Sequence, residues 1–527
     1  MIDAWWKSAV LYQIYPRSFQ DSDGDGVGDL AGIRARLPHL TELGVNALWL
    51  SPIFASPMAD FGYDISDYTA IDPLFGTMAD FDELLRDAHA RGLKVLLDFV
   101  PNHTSDQHAW FRDSRASRQN PKRDWYIWRD PVPGGGPPNN WLSEFGGSAW
   151  QLDKTTDQYY YHAFLKQQPD LNWRNRQVVA AMHDVMRFWL KRGVDGFRLD
   201  AIWHLIKDDQ FRNNPKNPAF RSGDSPDKSL LPIYSGDRPE VHGALHEMRQ
   251  VLDEFPDRLM IGEIYLPFER LMAYYGRDLS GVHLPFNFAL LKAPWRAREI
   301  AALIDKYEAA LPKGVWPNWV LGNHDRPRIA GRIGQAQARV AAMLLLTLRG
   351  TPTLYYGDEI GLPQVTMAPE QVRDPFEKNV PGLGLGRDGC RTPMQWDGTR
   401  VAGFSNADPW LPLTEDFVSR NVARQRSDPA SLYNLYRRLI AFRRKHPALA
   451  TGNYQPIAAK GDVLAYIREQ DSERFFVALN LGAEVASGAL PDGQGTVVLS
   501  LLEDRAGDKV QGPFKLAGNS GLLIKLD

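Results

Sequence analysis

The chain has one cysteine, Cys390, among 527 residues. A single thiol excludes an intrachain disulfide and a multi-cysteine metal site, and fits a reducing compartment. No apolar run reaches the roughly 18 residues that a membrane span requires. There is no Lys/Arg-rich block, and the formal net charge of −3 gives no reason to expect a polyanionic partner, so nucleic acid is excluded as a partner class. The opening "MIDAWWKSAV" lacks a basic stretch leading into an apolar one, so the expected location is the cytoplasm. No Gly-rich phosphate turn follows the first strand, no internal repeat is evident, and no organic cofactor is expected. What is present is an ordinary globular composition, 43% hydrophobic and 24% charged, long enough for two or three domains. The 16 Trp and 19 Tyr supply flat faces that suit pyranose rings as well as a core.

Short apolar or β-branched runs recur between amphipathic stretches: "AVLYQIYP" from 9, "NALWLSPIF" from 46, "KVLLDFVPNH" from 94 and "GFRLDAI" from 196. They continue with "LMIGEIY" from 259, "VHLPFNF" from 282, "NWVLGNHD" from 318 and "TPTLYYGDE" from 351. The intervening segments have helical spacing, as in Phe81, Leu84, Leu85 and Ala88, or Val185, Phe188 and Trp189 before Gly193. Eight alternating units predict an α/β fold, a (β/α)₈ TIM barrel, over residues 1–103 and 173–449. Residues 104–172 are too long for a loop and predict an inserted small domain. Residues 205–240, rich in Asp, Asn, Pro and Lys, read as a loop system above the barrel mouth. From 450 to 527 short alternating segments predict a C-terminal antiparallel β-domain.

In such a barrel the active site lies at the C-terminal strand ends. Those ends carry Asp98 with His103, Arg198 with Asp200, Glu263, and His324 with Asp325. Charges at the ends of buried strands need partners or a function. Three carboxylates near an arginine suit glycosidic-bond chemistry, in which one attacks the anomeric carbon while another protonates the leaving oxygen. Arg198 shares a strand face with Asp200 by the period of two and supplies the cation that keeps it ionised. Asp200 is thus the expected nucleophile, Glu263 the acid/base, and Asp325 a third carboxylate that orients sugar hydroxyls.

The motifs "DFVPNH" (98–103), "QPDLNW" (168–173), "GFRLDAI" (196–202), "IGEIY" (261–265) and "GNHD" (322–325) resemble those of glycoside hydrolase family 13, the α-amylase family, within its α-glucosidase and oligo-1,6-glucosidase group. The resemblance runs over nearly the whole chain. It implies a retaining mechanism through a covalent glucosyl intermediate on Asp200. It also implies that His103 and His324 grip the glycone, that "ADFGYD" supplies Asp60 for distal hydroxyls and Tyr63 as a stacking platform, and that Arg391 of "GRDGCRTPMQW" closes the pocket with Asp60. A closed pocket means exo-action on short α-glucosides, by a monomer or homodimer. Ala201, after the nucleophile, favours α-1,4 bonds with maltose-type and sucrose-like substrates, whereas "QPDLNW" resembles the oligo-1,6-glucosidase form that takes isomaltose. Trehalose-phosphate hydrolase, trehalose synthase and sucrose isomerase share the scaffold, as does a non-catalytic transporter-associated relative, against which the intact carboxylate set argues. Transglucosylation is open to the same intermediate.

"DSDGDGVGD", from Asp21 to Asp29, reproduces the first part of an oxygen-rich calcium loop, although Gly32 stands where a full EF-hand has Glu. By resemblance, Asp21, Asp23, Asp25, the Val27 carbonyl and Asp29 hold a structural Ca²⁺, with Mg²⁺ as the alternative ion.

Overall fold

The computed structural model describes residues 4–502 and 505–527; the first three residues of the N-terminal segment read above lie outside them. Eight strands make one parallel sheet: β1 (Leu11–Ile14), β2 (Ala47–Leu50), β3 (Lys94–Phe99), β4 (Gly196–Leu199), β5 (Leu259–Gly262), β6 (Leu284–Pro285), β7 (Asn318–Val320) and β8 (Thr351–Tyr355). Each strand from β1 to β5 pairs with the next, β7 pairs with β8, and β8 returns to β1. The remaining seam, between β6 and β7, is bridged by one side chain. Asn318 Nδ2 donates to the Pro285 carbonyl (2.5 Å) and its Oδ1 accepts from the Asn287 N–H (3.0 Å). The eight expected strands therefore form a near-closed (β/α)₈ barrel.

The strands are mostly apolar because both faces are covered. Alternate residues separate into two sets. Leu11, Ala47, Trp49, Leu96, Leu259, Ile261 and Val320 share a cluster inside the barrel, whereas Tyr12, Leu48, Leu50, Val95, Leu97, Phe197 and Leu199 join the shell of helices. Fully burying one such side chain stabilises the fold by about 1.5–3 kcal/mol. Gly196 opens β4 at φ +152°, where an added Cβ would stand 2.0 Å from the Leu259 carbonyl oxygen, so no larger residue allows β4 to approach β5.

Among the covering helices, Met78–Ala90 buries Phe81, Leu84, Leu85 and Ala88, the row its spacing predicts, behind a Thr77–Asp80 capping box. Arg176–Arg192 ends at Gly193 in the left-handed conformation and feeds straight into β4. Between β3 and β4 lies a small antiparallel sheet of Trp128–Arg129, Gln158–Tyr161 and Trp150–Asp153. Its base is tied by the His103–Asp170 bridge and by Thr104 N–H to the Pro169 carbonyl (3.2 Å), so the insert stands on the rim of the barrel.

After the helix Pro447–Ala450 come six antiparallel strands: β9 (Asn453–Lys460), β10 (Val463–Gln470), β11 (Glu473–Asn480), β12 (Ala486–Ser500), β13 (Lys509–Leu516) and β14 (Gly521–Leu526), in the order 9-10-11-14-12-13. Buried Arg468 fixes this sheet to the barrel by donating to the Thr347 carbonyl (2.5 Å), at the C-terminus of helix Gln335–Thr347. Among the described residues, no helix is long and apolar enough to cross a membrane.

Candidate active site

The inward-facing rows continue past the apolar part of the barrel. Leu96 is followed on its face by Asp98, Gly196 by Arg198 and Asp200, and Ile261 by Glu263. The register places Asp98 beside Arg198. Arg198, fully buried, is the hub of the group. Its Nη1 donates to Asp98 Oδ1 and to Asp200 Oδ1, both at 2.7 Å, and its Nη2 lies 2.8 Å from Glu263 Oε2. Asp98 is braced further by Trp49 Nε1 (3.1 Å) and the Tyr63 hydroxyl (2.9 Å).

Ala201 takes the left-handed conformation at φ +46°, uncommon for a residue other than glycine. The kink aims its N–H at Glu263 Oε2 (3.0 Å), so the residue after Asp200 helps to position Glu263.

These side chains form the floor of a cavity of about 440 Å³, which is also lined by Asp60, Tyr63, His103, His324 and Asp325. Arg198 and Arg391 lie beneath its wall, each fully buried. The Tyr63 ring stacks on His324, with centroids 5.3 Å apart and planes within 2°, and its hydroxyl meets His324 Nε2 at 2.7 Å. In a larger cleft of about 610 Å³, between the insert and the segment after β4, two acidic residues are engaged by neighbours: Asp208 pairs with Arg212, and Asp124 accepts from Asn172.

Electrostatics separate the carboxylates. Burial pushes Asp200 up to about 7, opposed by Arg198 and by a hydrogen bond from Glu263. Burial pushes Glu263 further, to about 8, with Arg198 opposing and the negative charges of Asp200 and Asp325 assisting. The two carboxyls titrate as a coupled pair, and the stronger upward push on Glu263 favours the proton there. Burial also acts on Asp325, but His324, Arg391 and Arg387 hold that carboxyl well below the usual range. Burial pushes His103 down to about 4 and His324 well below its ordinary value, so both imidazoles are neutral donors or acceptors.

The guanidinium that meets Asp60 is not the one expected. Arg387 Nη2 donates to Asp60 Oδ1 (2.6 Å), while Arg391 donates from Nε to the His324 carbonyl (2.7 Å) and from Nη2 to Asp325 Oδ1 (3.0 Å). Arg391 follows a short 3₁₀ turn, Asp388–Cys390, that directs it under the β7 end; Arg387, before the turn, faces the cavity and is steadied by Asp374. Gln168 was also missed. Its Nε2 lies 3.3 Å from Asp60 Oδ2 and 3.1 Å from His103 Nε2. It opens the motif "QPDLNW", so the motif pointed at it without showing which side chain reached the cavity. Replacing Arg387 with Met is expected to lower kcat/KM for a disaccharide about 10- to 100-fold, mainly through KM, the worth of a charge-assisted hydrogen bond of about 1.5–3 kcal/mol. Steady-state kinetics beside a melting curve check this, because the same change unpairs Asp374.

In the acidic loop, Asp21, Asp23 and Asp29 each offer a carboxylate oxygen, all within 4.8 Å of one another. An all-oxygen cluster suits a hard cation. Asp25 falls outside this cluster; its Oδ1 accepts the Val27 N–H (2.7 Å), an Asx turn like the one Asp23 makes to the Asp25 N–H (3.2 Å). Asp29 doubles as N-cap of helix Leu30–Ala35, accepting from the Gly32 N–H (2.6 Å).

The family model described as Alpha amylase, catalytic domain, matches residues 13–452. The chain is a glycoside hydrolase of the α-amylase family. Among curated α-amylase-family relatives, a probable alpha-glucosidase of Rhizobium meliloti (strain 1021) is 46% identical over 92% of this chain and 91% of its own length. An oligo-1,6-glucosidase of Heyndrickxia coagulans is 38% identical over 97% and 98%. Among solved structures of similar α-amylase-type folds, the alpha-glucosyl transfer enzyme XgtA is 43% identical with a TM-score of 0.94, covering 99% of this chain and all of that one. The trehalulose synthase MutB from Pseudomonas mesoacidophila MX-45 is 36% identical with a TM-score of 0.91, covering 99% of both chains.

Proposed function

We propose that the protein is an exo-acting, retaining α-glucosidase for short α-glucosides, with preference for α-1,4 bonds. The observation that carries this reading is the Arg198 hub, which holds Asp98, Asp200 and Glu263 within 2.7–2.8 Å of one guanidinium at the floor of a cavity whose wall includes the Asp60–Arg387 pair. The terminal glucose sits against Asp60, Arg387, His103 and Gln168. Asp200, ionised, attacks the anomeric carbon while Glu263 gives its proton to the departing oxygen, which leaves a β-glucosyl ester on Asp200. Glu263, now a carboxylate, takes a proton from water, and the water's attack on the ester releases α-glucose. Asp325, ionised throughout, accepts from glucose hydroxyls and stabilises positive charge at the ring. The small Ala201 side chain at the cavity surface leaves room for an α-1,4-linked aglycone. Relatives named alpha-glucosidase and oligo-1,6-glucosidase support the substrate class.

Product analysis of purified protein with maltose, isomaltose, sucrose and trehalose, with anomeric configuration followed by NMR, tests the reading. Maltose is expected to be turned over fastest and α-glucose to appear first. β-Glucose first, or no turnover of any of the four, would sink it. A second reading, glucosyl transfer to a sugar or alcohol, is favoured by the similarity to the alpha-glucosyl transfer enzyme XgtA; it uses the same intermediate, with an acceptor hydroxyl in place of water.

For the acidic loop we infer a structural Ca²⁺ held by Asp21, Asp23 and Asp29, with the Val27 carbonyl completing the set; it would neutralise the carboxylates and fix the turn after β1. Chelation is expected to lower the melting temperature by several degrees, since a cation at a hundred times its Kd stabilises by about 2.7 kcal/mol. Calcium should restore the loss, magnesium serves as the comparison, and Asp23→Ala should abolish the response. A melting temperature indifferent to chelator would show that the loop needs no metal.

A further inference from the structure

Gln13 stands inside β1, in "LYQIY", between apolar and aromatic residues. Its side chain follows Leu11 on the inner face of the barrel, beside Trp49 of β2 and Tyr355 of β8, and it is fully buried. Burying an amide costs free energy unless its polar atoms find partners. The Gln13 amide nitrogen reaches His324 Nδ1 (2.7 Å) and Ser51 Oγ (3.2 Å), whereas the carbonyl oxygen has no partner among the described residues. The two amide protons are therefore what the surroundings use.

Beyond His324 the protons are assigned one by one. Burial holds the Tyr63 hydroxyl well above its ordinary value, so it keeps its single proton. Burial pushes Asp98 up to about 6, with Arg198 opposing, so at neutral pH this carboxyl is ionised and only accepts. The Tyr63 proton then goes to Asp98 Oδ2 (2.9 Å), and at its 2.7 Å contact with His324 Nε2 the Tyr63 oxygen accepts. Nε2 carries a hydrogen. The ionised Asp325 carboxylate, with Oδ2 3.2 Å from Nε2, calls for the same hydrogen. Burial, together with the charges of Arg391 and Arg198, keeps the imidazole neutral, so it has no second proton and Nδ1 is bare. A bare, buried Nδ1 needs a donor, and the Gln13 amide is that donor.

We propose that Gln13 is a positioning residue that locks His324 as its Nε2–H tautomer and so leaves the Tyr63 hydroxyl to serve Asp98. With the proton on Nδ1 instead, Tyr63 would have to donate to Nε2. Asp98 would then lose a donor beside Arg198, and a lone pair would face the Asp325 carboxylate. The choice also decides whether this edge of the ring, between the cavity-lining Tyr63 and Asp325, offers a bound glucose an N–H or a lone pair. The tautomer follows from the proton count alone; its effect on turnover rests on the α-glucosidase reading.

¹⁵N NMR of histidine-labelled protein tests the tautomer, with the His324 signals identified by their absence from His324→Asn protein. Nδ1 is expected at the position of an unprotonated imidazole nitrogen and Nε2 at that of an N–H. A protonated Nδ1 in the wild type would overturn the inference. The part played by Gln13 is read from a double-mutant cycle. Gln13→Met fills the same space without a donor and is expected to lower kcat/KM for a nitrophenyl α-glucoside about 10- to 100-fold, the scale of a slightly misplaced group at a reacting centre. In His324→Asn protein the same change should cost no more than about twofold, because the ring it acts through is gone. Equal losses in both backgrounds would make Gln13 a packing residue, and no loss in the first would leave it without a role; either result overturns the proposal. Should Gln13→Met fail to fold, Gln13→Glu takes its place: an ionised carboxylate only accepts, so Nδ1 should become protonated and kcat/KM should fall with it. Wild-type kcat/KM alongside a protonated Nδ1 would show that the reaction is indifferent to the tautomer, and would overturn the proposal as well. If the wild type turns over no α-glucoside, the α-glucosidase reading fails, while the spectrum still decides the tautomer.

Discussion

Asp200→Asn protein is expected to fold, to bind short α-glucosides, and to hydrolyse them about 10⁴-fold more slowly or worse, the scale of losing a nucleophile. Asparagine keeps the shape and the oxygen that accepts from Arg198 Nη1, and Arg198 retains Asp98 and Glu263, so the buried guanidinium is not orphaned. What goes is the negative charge aimed at the anomeric carbon. Two consequences separate this loss from misfolding. First, a slow fluorinated glucosyl fluoride should label the wild-type peptide containing Asp200 and leave the variant unlabelled, which mass spectrometry reads directly. Second, because the Asp200 charge helps to raise the Glu263 carboxyl, its removal should bring Glu263 down from about 8. Labelling of the variant at another carboxylate would displace Asp200 from its role.

Much of this arrangement was legible in the chain because parallel barrel strands are buried on both faces. Such strands read as unbroken apolar runs, and a charge at the end of one, as in "GFRLD", stands out against its surroundings. The period of two then places Arg198 and Asp200 on the inner face, and the structure brings Asp98 and Glu263 to the same guanidinium. Arg387 was not legible in this way. It and Arg391 lie four residues apart in an irregular segment with no periodicity to assign a face, and the choice between them is made by the turn Asp388–Cys390 and by Asp374, fourteen residues before Asp388. The acidic loop shows the same limit. Alternating Asp residues look equivalent in "DSDGDGVGD", and Asp21, Asp23 and Asp25 each do accept the N–H two residues on, yet only Asp21 and Asp23 of these bring a carboxylate oxygen into the cluster with Asp29. Nor does the sequence reveal that Ala201 adopts positive φ, because the partner its N–H meets, Glu263, lies at the end of the neighbouring strand, 62 residues on.

Glu263→Gln gives the second large effect, and its signature is in pH and rescue rather than in rate alone. The active wild-type form has Asp200 ionised and Glu263 protonated. Falling pH protonates Asp200 near 7, and rising pH strips Glu263 near 8, so kcat/KM should trace a bell with its maximum between about 7 and 8. Glutamine cannot give up or take a proton, and maltose hydrolysis should fall about 10²- to 10⁴-fold. The alkaline limb should disappear with it, while the acidic limb remains, because Asp200 still has to lose its proton. A nitrophenyl α-glucoside, whose leaving group departs without protonation, should lose far less in forming the glucosyl ester. Azide, which attacks that ester without a general base, should then restore turnover and yield α-glucosyl azide, the anomer that two inversions produce. Persistence of the alkaline limb in the glutamine variant would assign it to another group and take the acid/base role from Glu263. An azide product of β configuration would point instead to direct displacement at the anomeric carbon, which would make Asp200 a stabilising charge and not the nucleophile.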